Sequence, residues 1–174
     1  MRNVLLGGLV AALCVAGCSP VAETPPVSIF EAAMGGNIAF IEQHIAAGTD
    51  LNQQDPTAGS TPLITAAAFG NAAAAKALID GGASLDIQNN SGSSALMTAT
   101  FLGHPDIVRM LLDAGADKSL TDPSGATALT TAEAPFESLL PVYDMVKEAL
   151  TPLGIDMDYD RIKAARPGIA EMLR

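Results

Sequence analysis

The chain has 174 residues, of which 49% are hydrophobic, and a formal charge of −10 from nine Lys and Arg against 19 Asp and Glu. The length fits one ordinary domain, and the apolar share excludes a disordered chain. The acidic balance leaves no basic patch to displace phosphate counterions, which excludes a nucleic-acid partner, and it opposes electrostatic docking on anionic lipid.

The first segment, residues 1–17, reads as an export signal. Arg2 supplies the positive start, and Val4 to Ala16 is an uncharged apolar run too short to span a bilayer. The run ends in Leu13-Cys14-Val15-Ala16-Gly17-Cys18. Small residues directly before a cysteine resemble the lipobox of bacterial lipoproteins. That resemblance implies a diacylglycerol on the Cys18 sulfur and cleavage before it. It also implies a body tethered to the envelope and facing the periplasm. Each buried methylene contributes about 0.8 kcal/mol, and more than one acyl chain gives lasting anchorage. Ser19, in place of the Asp that retains enteric lipoproteins at the inner membrane, favours the outer membrane.

Residues 18–28 follow as a tether. Three prolines and no periodicity between Ser19 and Ser28 predict an extended segment. Once residues 1–17 are removed, Cys18 is the one cysteine left, so the fold is expected to hold by packing alone.

An internal repeat organises the remainder. Gly59, Gly92 and Gly125 recur every 33 residues, as do Leu63, Leu96 and Leu129. Gly70 pairs with Gly103 and Gly82 with Gly115 at the same period. Gly59-Ser-Thr-Pro-Leu-Ile-Thr-Ala-Ala-Ala-Phe-Gly-Asn aligns with Gly92-Ser-Ser-Ala-Leu-Met-Thr-Ala-Thr-Phe-Leu-Gly-His. A looser unit starts at Phe30, and another at Gly125. A period of this length marks a repeat architecture.

Local signals predict helices within each unit. Thr61 is a ready N-cap with Pro62 in the first turn. His104-Pro105-Asp106 opens the second helix of its unit, with Asp106 complementing its positive end. Ile107, Val108, Leu111 and Leu112 form a helical apolar stripe, matched by Ala74, Ala75, Leu78 and Ile79. Gly115 closes that helix. His44, at the position of Leu78 and Leu111, is read as tolerated because a first repeat has one face toward water.

The spacing and these residues are similar to the ankyrin repeat, over roughly Ser28 to Leu150. The resemblance implies an all-α solenoid of about four stacked helix-turn-helix repeats over 29–150, with a C-terminal helical cap over 151–174. Within the cap, Ile162 to Arg174 reads as a shortened helical pair. The family's Thr-Pro-Leu survives only at Thr61-Pro62-Leu63, and the His that normally follows is replaced by Ile64, Met97 and Thr130.

No chemistry is legible. His44 and His104 lie sixty residues apart, on a helix and at a helix start, without a nucleophile and acid placed to complete a triad or a thiol for zinc. Asp156-Met-Asp-Tyr-Asp160 opens like a calcium loop, but Arg161 replaces the turn glycine, so it reads as a polar turn capping the next helix. Neither a cofactor, a metal nor a small-molecule substrate is expected.

In the ankyrin family, partners contact the turn tips and inner helices. The resemblance therefore implies a protein-binding surface made of the tips Pro56, Thr57, Ser60, Asn90, Ser91, Ser93, Pro123 and Ser124. Met34, Phe69, Phe101 and Leu102 at the inner-helix ends complete it. The expectation is a non-catalytic, lipid-anchored protein-interaction module. The alternatives are an immunity protein against an envelope-targeting secreted toxin, steered by the acidic charge, or an accessory to a periplasmic enzyme such as a catalase.

Overall fold

The computed structural model describes residues 25–153 and 157–174. The leader 1–17, Cys18 and tether residues 19–24 lie outside the described residues, as does Asp156. Helix starts follow the polar residues that precede apolar runs. Ser28 caps α1 (Ile29–Met34) in a reciprocal box with Glu31, each accepting the other's backbone N–H. Asn37 caps α2 (Ile38–Ala46) and Thr61 caps α3 (Pro62–Ala68), whose Pro62 sits in the first turn. α4 (Ala72–Asp80) starts without a side-chain cap. Ser94 caps α5 (Ala95–Phe101). α6 (Pro105–Asp113) opens on proline with Asp106 in its first turn. Thr127 caps α7 (Ala128–Glu133).

These helices form two layers. α1, α3, α5 and α7 stack in sequence as the inner layer, and α2, α4 and α6 as the outer one. The described residues contain no strand. Leu63 and Leu96 fill the inner layer, and Ile41, Leu78 and Leu111 fill the space between layers; all are at most 1% exposed. Ala66, Ala67 and Ala99 are fully buried and let the inner helices approach closely. The larger core cluster is continuous through the stack, as expected of units that bury their faces only on each other, and a smaller one gathers around Leu102, Tyr143 and Ile162.

One residue per unit ties each hairpin to the one before. Asn71 Nδ2 donates to the carbonyls of Ala33 at 2.9 Å and Met34 at 2.6 Å. His104 takes the same place one repeat on, hydrogen-bonded to the Ala68 backbone. Gly70 admits its ring: the backbone there has φ +69°, and a Cβ would stand 2.5 Å from His104 Cε1.

The fourth unit departs from the expected plan. In the first three, inner helix passes to outer helix across residues 35–37, 69–71 and 102–104. In the fourth, residues 134–158 intervene, and they contain α8 (Phe136–Leu150) and a short 3-10 turn (Thr151–Leu153). The helix that packs on α6 and α7 as an outer helix is α9 (Tyr159–Leu173). Arg161 of α9 takes over the tie, donating to Gly103 O at 2.7 Å and Leu102 O at 3.2 Å. The expected helical pair over 162–174 is therefore a single helix that runs through Pro167. Asp158 caps it, as the polar-turn reading of this stretch anticipates.

His44 also differs from its reading. It is 7% exposed and faces the interior. Its Nδ1 pairs with Thr49 Oγ1 at 3.0 Å and its Nε2 with Val27 O at 2.9 Å. The polar ring is accommodated because both nitrogens are satisfied, and the pairing fastens the entering chain to the first repeat.

Candidate functional site

The open side of the solenoid is built from the turns that precede each inner helix. An acidic or amide side chain organises each turn. Asp55 Oδ1 accepts the N–H groups of Thr57 and Ala58, and its Oδ2 accepts that of Ser60. Asn89 Oδ1 does the same for Ser91 and Ser93, and Asp122 Oδ1 for Ser124 and Ala126. These bonds stabilise the ionised acids. The Ala58 N–H leads in holding the Asp55 carboxyl below the usual range, and the Ser124 side chain leads at Asp122.

A second ladder joins the tips. Gln54 Nε2 bridges Gly59 O at 2.7 Å and Gln88 O at 3.1 Å. Gln88 Nε2 repeats the bridge to Gly92 O at 2.5 Å and Thr121 O at 2.9 Å. Asn90 Nδ2 donates back to Thr57 O at 3.2 Å. In this chain the two glutamines link successive turns across the stack.

Facing the tips across the inner layer is α8. It lies over the ends of α3 and α5, where Tyr143 is fully buried. The Tyr143 ring stacks on Phe101 with centroids 4.3 Å apart, and on Phe136 at 5.2 Å. Its hydroxyl donates to Phe101 O at 2.8 Å. Burial raises the phenol's pKa and so keeps that donor protonated.

Between α8 and the turn tips runs a groove of about 460 Å³. Ser91, Ser93 and Asp122 form its polar wall, and Met97, Val142 and Met145 its apolar one. Met145 is 64% exposed and Val142 42%. A mixed groove with exposed large apolar groups is suited to holding a polypeptide segment.

The residues expected from sequence divide accordingly. Pro56, Thr57, Asn90, Ser91, Pro123 and Ser124 are exposed at the tips, and Ser60 and Ser93 are half-buried in the turns. Met34 is exposed at the end of α1. Phe69 is half-buried beside a separate cavity of about 360 Å³ that also contains His104 and Arg161. Phe101 and Leu102 do not form part of an exposed row. Leu102 is 6% exposed and Phe101 lies under Tyr143, because α8 covers them. The residues that sequence reasoning missed are Val142 and Met145, because the 33-residue periodicity does not place α8 over the inner layer.

The two histidines serve packing. Burial, and secondarily the Arg161 charge, lowers the His104 pKa to about 4, so the ring is neutral at physiological pH. Among the described residues, no three His, Cys, Asp or Glu side chains are grouped to hold a metal ion. No described helix is long and apolar enough to cross a membrane.

Comparison with known proteins agrees with this architecture. The family model for ankyrin repeats, in three copies, matches residues 29–122. Many solved chains match. One is the crystal structure of the ankyrin repeat domain of Bcl-3, described as a unique member of the IkappaB protein family. It is 30% identical, with a TM-score of 0.58, over 59% of this chain and 45% of that one. The chain thus spans less than half the length of that solved chain. No curated protein matches. The matched region ends before α7, so α8 and α9 lie outside it.

Proposed function

The chain belongs to the ankyrin-repeat family, and from that premise we propose that it is a lipid-anchored protein-binding module of a bacterial envelope. Ankyrin repeats are protein-interaction modules, and the fold is typically a non-catalytic scaffold. The observation that carries the reading here is the groove between the turn tips and α8, where polar turn groups and exposed apolar side chains meet. The anchor rests on the sequence alone: the apolar run ending in Leu13-Cys14-Val15-Ala16-Gly17-Cys18. Ser19 supports the outer membrane, with the repeats in the periplasm.

Site-specific photocrosslinking in the native envelope tests the binding surface. A crosslinker at Ser91 or Met145 is expected to trap one discrete partner, and one at Arg109 on the outer layer is not. Equal trapping from all three positions contradicts the assignment. For the anchor, Cys18→Ser is expected to move the protein from the membrane fraction to the soluble fraction, and retention in the membrane fraction contradicts lipidation. The charge of −10 favours a second reading, an inhibitor of a basic, envelope-targeting toxin. Under that reading the trapped partner is a basic toxin, and a deletion strain dies beside its siblings.

A further inference from the structure

The inserted helix α8 is seated on the inner layer much as a bound helical ligand would be. Phe136, Leu139, Tyr143, Val146 and Leu150 fall at helical spacing and face the apolar patch formed by Ala68, Phe101 and Leu102. This is the helix-in-groove mode of recognition, carried out within one chain.

Its hold is thin. Of fifteen residues, only Tyr143 is fully buried. Pro135 gives its start no side-chain cap, and Pro141 inside it has no N–H to donate. α8 touches α9 through ring contacts of Phe136 and Tyr143 with Tyr159, but the helix-on-helix stack does not run through it. α9 packs directly on α5, α6 and α7, and Arg161 ties α9 to Leu102 and Gly103 without touching α8. Detaching α8 therefore leaves the solenoid closed at both layers. The polar links it gives up are those to the Phe101 carbonyl and Arg166, the Tyr159–Asp144 hydrogen bond and the exposed Lys163–Glu137 ion pair, and the groups left behind pass to water. An element with one buried anchor and few caps belongs to the low-stability end of a fold.

We propose that the inner face is a groove for an amphipathic helix, that α8 occupies it in cis, and that a partner helix with the same apolar spacing displaces α8. The idea rests on the protein-binding reading above and moves the partner from the groove beside α8 to the seat beneath it. The partner it specifies carries a large aromatic at the Tyr143 position, with apolar residues four and seven positions before it and three and seven after it, where α8 has Leu139, Phe136, Val146 and Leu150. A tyrosine there gains the bond to Phe101 O. α8 then acts as an internal competitor that lowers apparent affinity by the fraction of time it stays seated.

The test uses a fluorescent synthetic peptide with the sequence of residues 134–152, added to the full chain. The chain carrying Tyr143→Ala is expected to bind it at least tenfold more tightly than the unaltered chain, because the internal competitor is weakened. The peptide bearing Tyr143→Ala is expected to lose that binding. Val146→Ala is the second variant should Tyr143→Ala fail to fold, checked by a cooperative helical melt. In the unaltered chain, α8 amides are expected to exchange hydrogen ahead of those in α5 and α6. Exchange of α8 only together with α5 and α6, or equal peptide uptake by a folded variant and the unaltered chain, overturns the proposal. Crosslinking at Ser91 to a partner, with α8 still fixed, overturns it while leaving the protein-binding reading in place.

Discussion

The Arg166 guanidinium donates to the Tyr143 hydroxyl oxygen at 3.1 Å, and this bond joins the last helix to the inserted one. Arg166 is 4% exposed, and among the described residues no acidic side chain accepts a hydrogen bond from it. Its other contacts are the carbonyls of Thr131, at 2.6 Å, and Ala134, at 2.5 Å, at the end of α7. A helix C-terminus presents partial negative charge, so the cation sits where the backbone favours it. Tyr143 passes the connection on to Phe101 O.

Arg166→Ala should therefore cost more than a surface charge deletion. Hydrogen bonds to a charged group contribute about 1.5–3 kcal/mol, and the loss leaves carbonyls unpaired in a confined place. The expected destabilisation is at least ~2 kcal/mol, read from the urea midpoint. Arg166→Lys is expected to restore little, because one ammonium lacks the planar fork that reaches three acceptors. Full rescue by Lys would show that charge alone matters.

Phe101 and Phe69 should separate sharply. Both are half-buried, but only Phe101 stacks on Tyr143. Phe101→Ala is expected to cost about 2–3 kcal/mol, somewhat below a fully buried phenylalanine. Phe69→Ala is expected to cost under about 1 kcal/mol. Equal melting temperatures for the two variants would place α8 elsewhere.

A pair of glycine substitutions reports on the seat of α9. Gly103 has φ +68°, and a Cβ there would stand 2.9 Å from Ile162 Cα, a backbone atom that cannot rotate away. Gly115 has φ +90° but open space around it. Both alanine variants incur backbone strain of about 1 kcal/mol or more. Gly103→Ala must in addition push α9 outward, so its thermal midpoint should fall clearly further. Equal midpoints would mean that α9 does not pack against this turn.

The His104 ring makes stability pH-dependent. Its pKa is near 4 in the folded chain, against an ordinary value of 6.5. Between those values the unfolded chain binds more protons than the folded one, so stability rises with pH across that window. The contribution is complete above about 6.5 and is lost as the pH falls toward 4. Urea midpoints measured at pH 7 and pH 4.5 should differ, and His104→Asn should shrink the difference. An undiminished difference in that variant would assign the effect to other groups.

Much of the fold was legible because the repeat places the same residue types at the same stations. Thr61, the Leu111 stripe and Gly115 behave as their local chemistry dictates. The fourth unit was not legible from periodicity, although a signal existed. Carrying the 33-residue register forward puts Pro141 at the place of Val108, and Asp144 at the place of Leu111, which is fully buried. An unpaired carboxylate is costly there, so α8 cannot serve as the outer helix. α9 serves instead, with Ile162, Ile169 and Leu173 on its buried face. The same displacement explains the candidate site. Phe101 and Leu102 looked open only while nothing was expected to cross them, and Met145 gave no signal because the periodicity does not place α8 over the inner layer.

The most direct measurement is a nuclear Overhauser spectrum of the full chain, read at the Tyr143 ring. Cross-peaks to the rings of Phe101 and Phe136, together with contacts between Ile162 and Gly103, are expected if α8 crosses the inner layer and α9 completes the outer one. Cross-peaks from Tyr143 to Arg109 and Met110 of α6 would show α8 in the regular outer position and contradict the account.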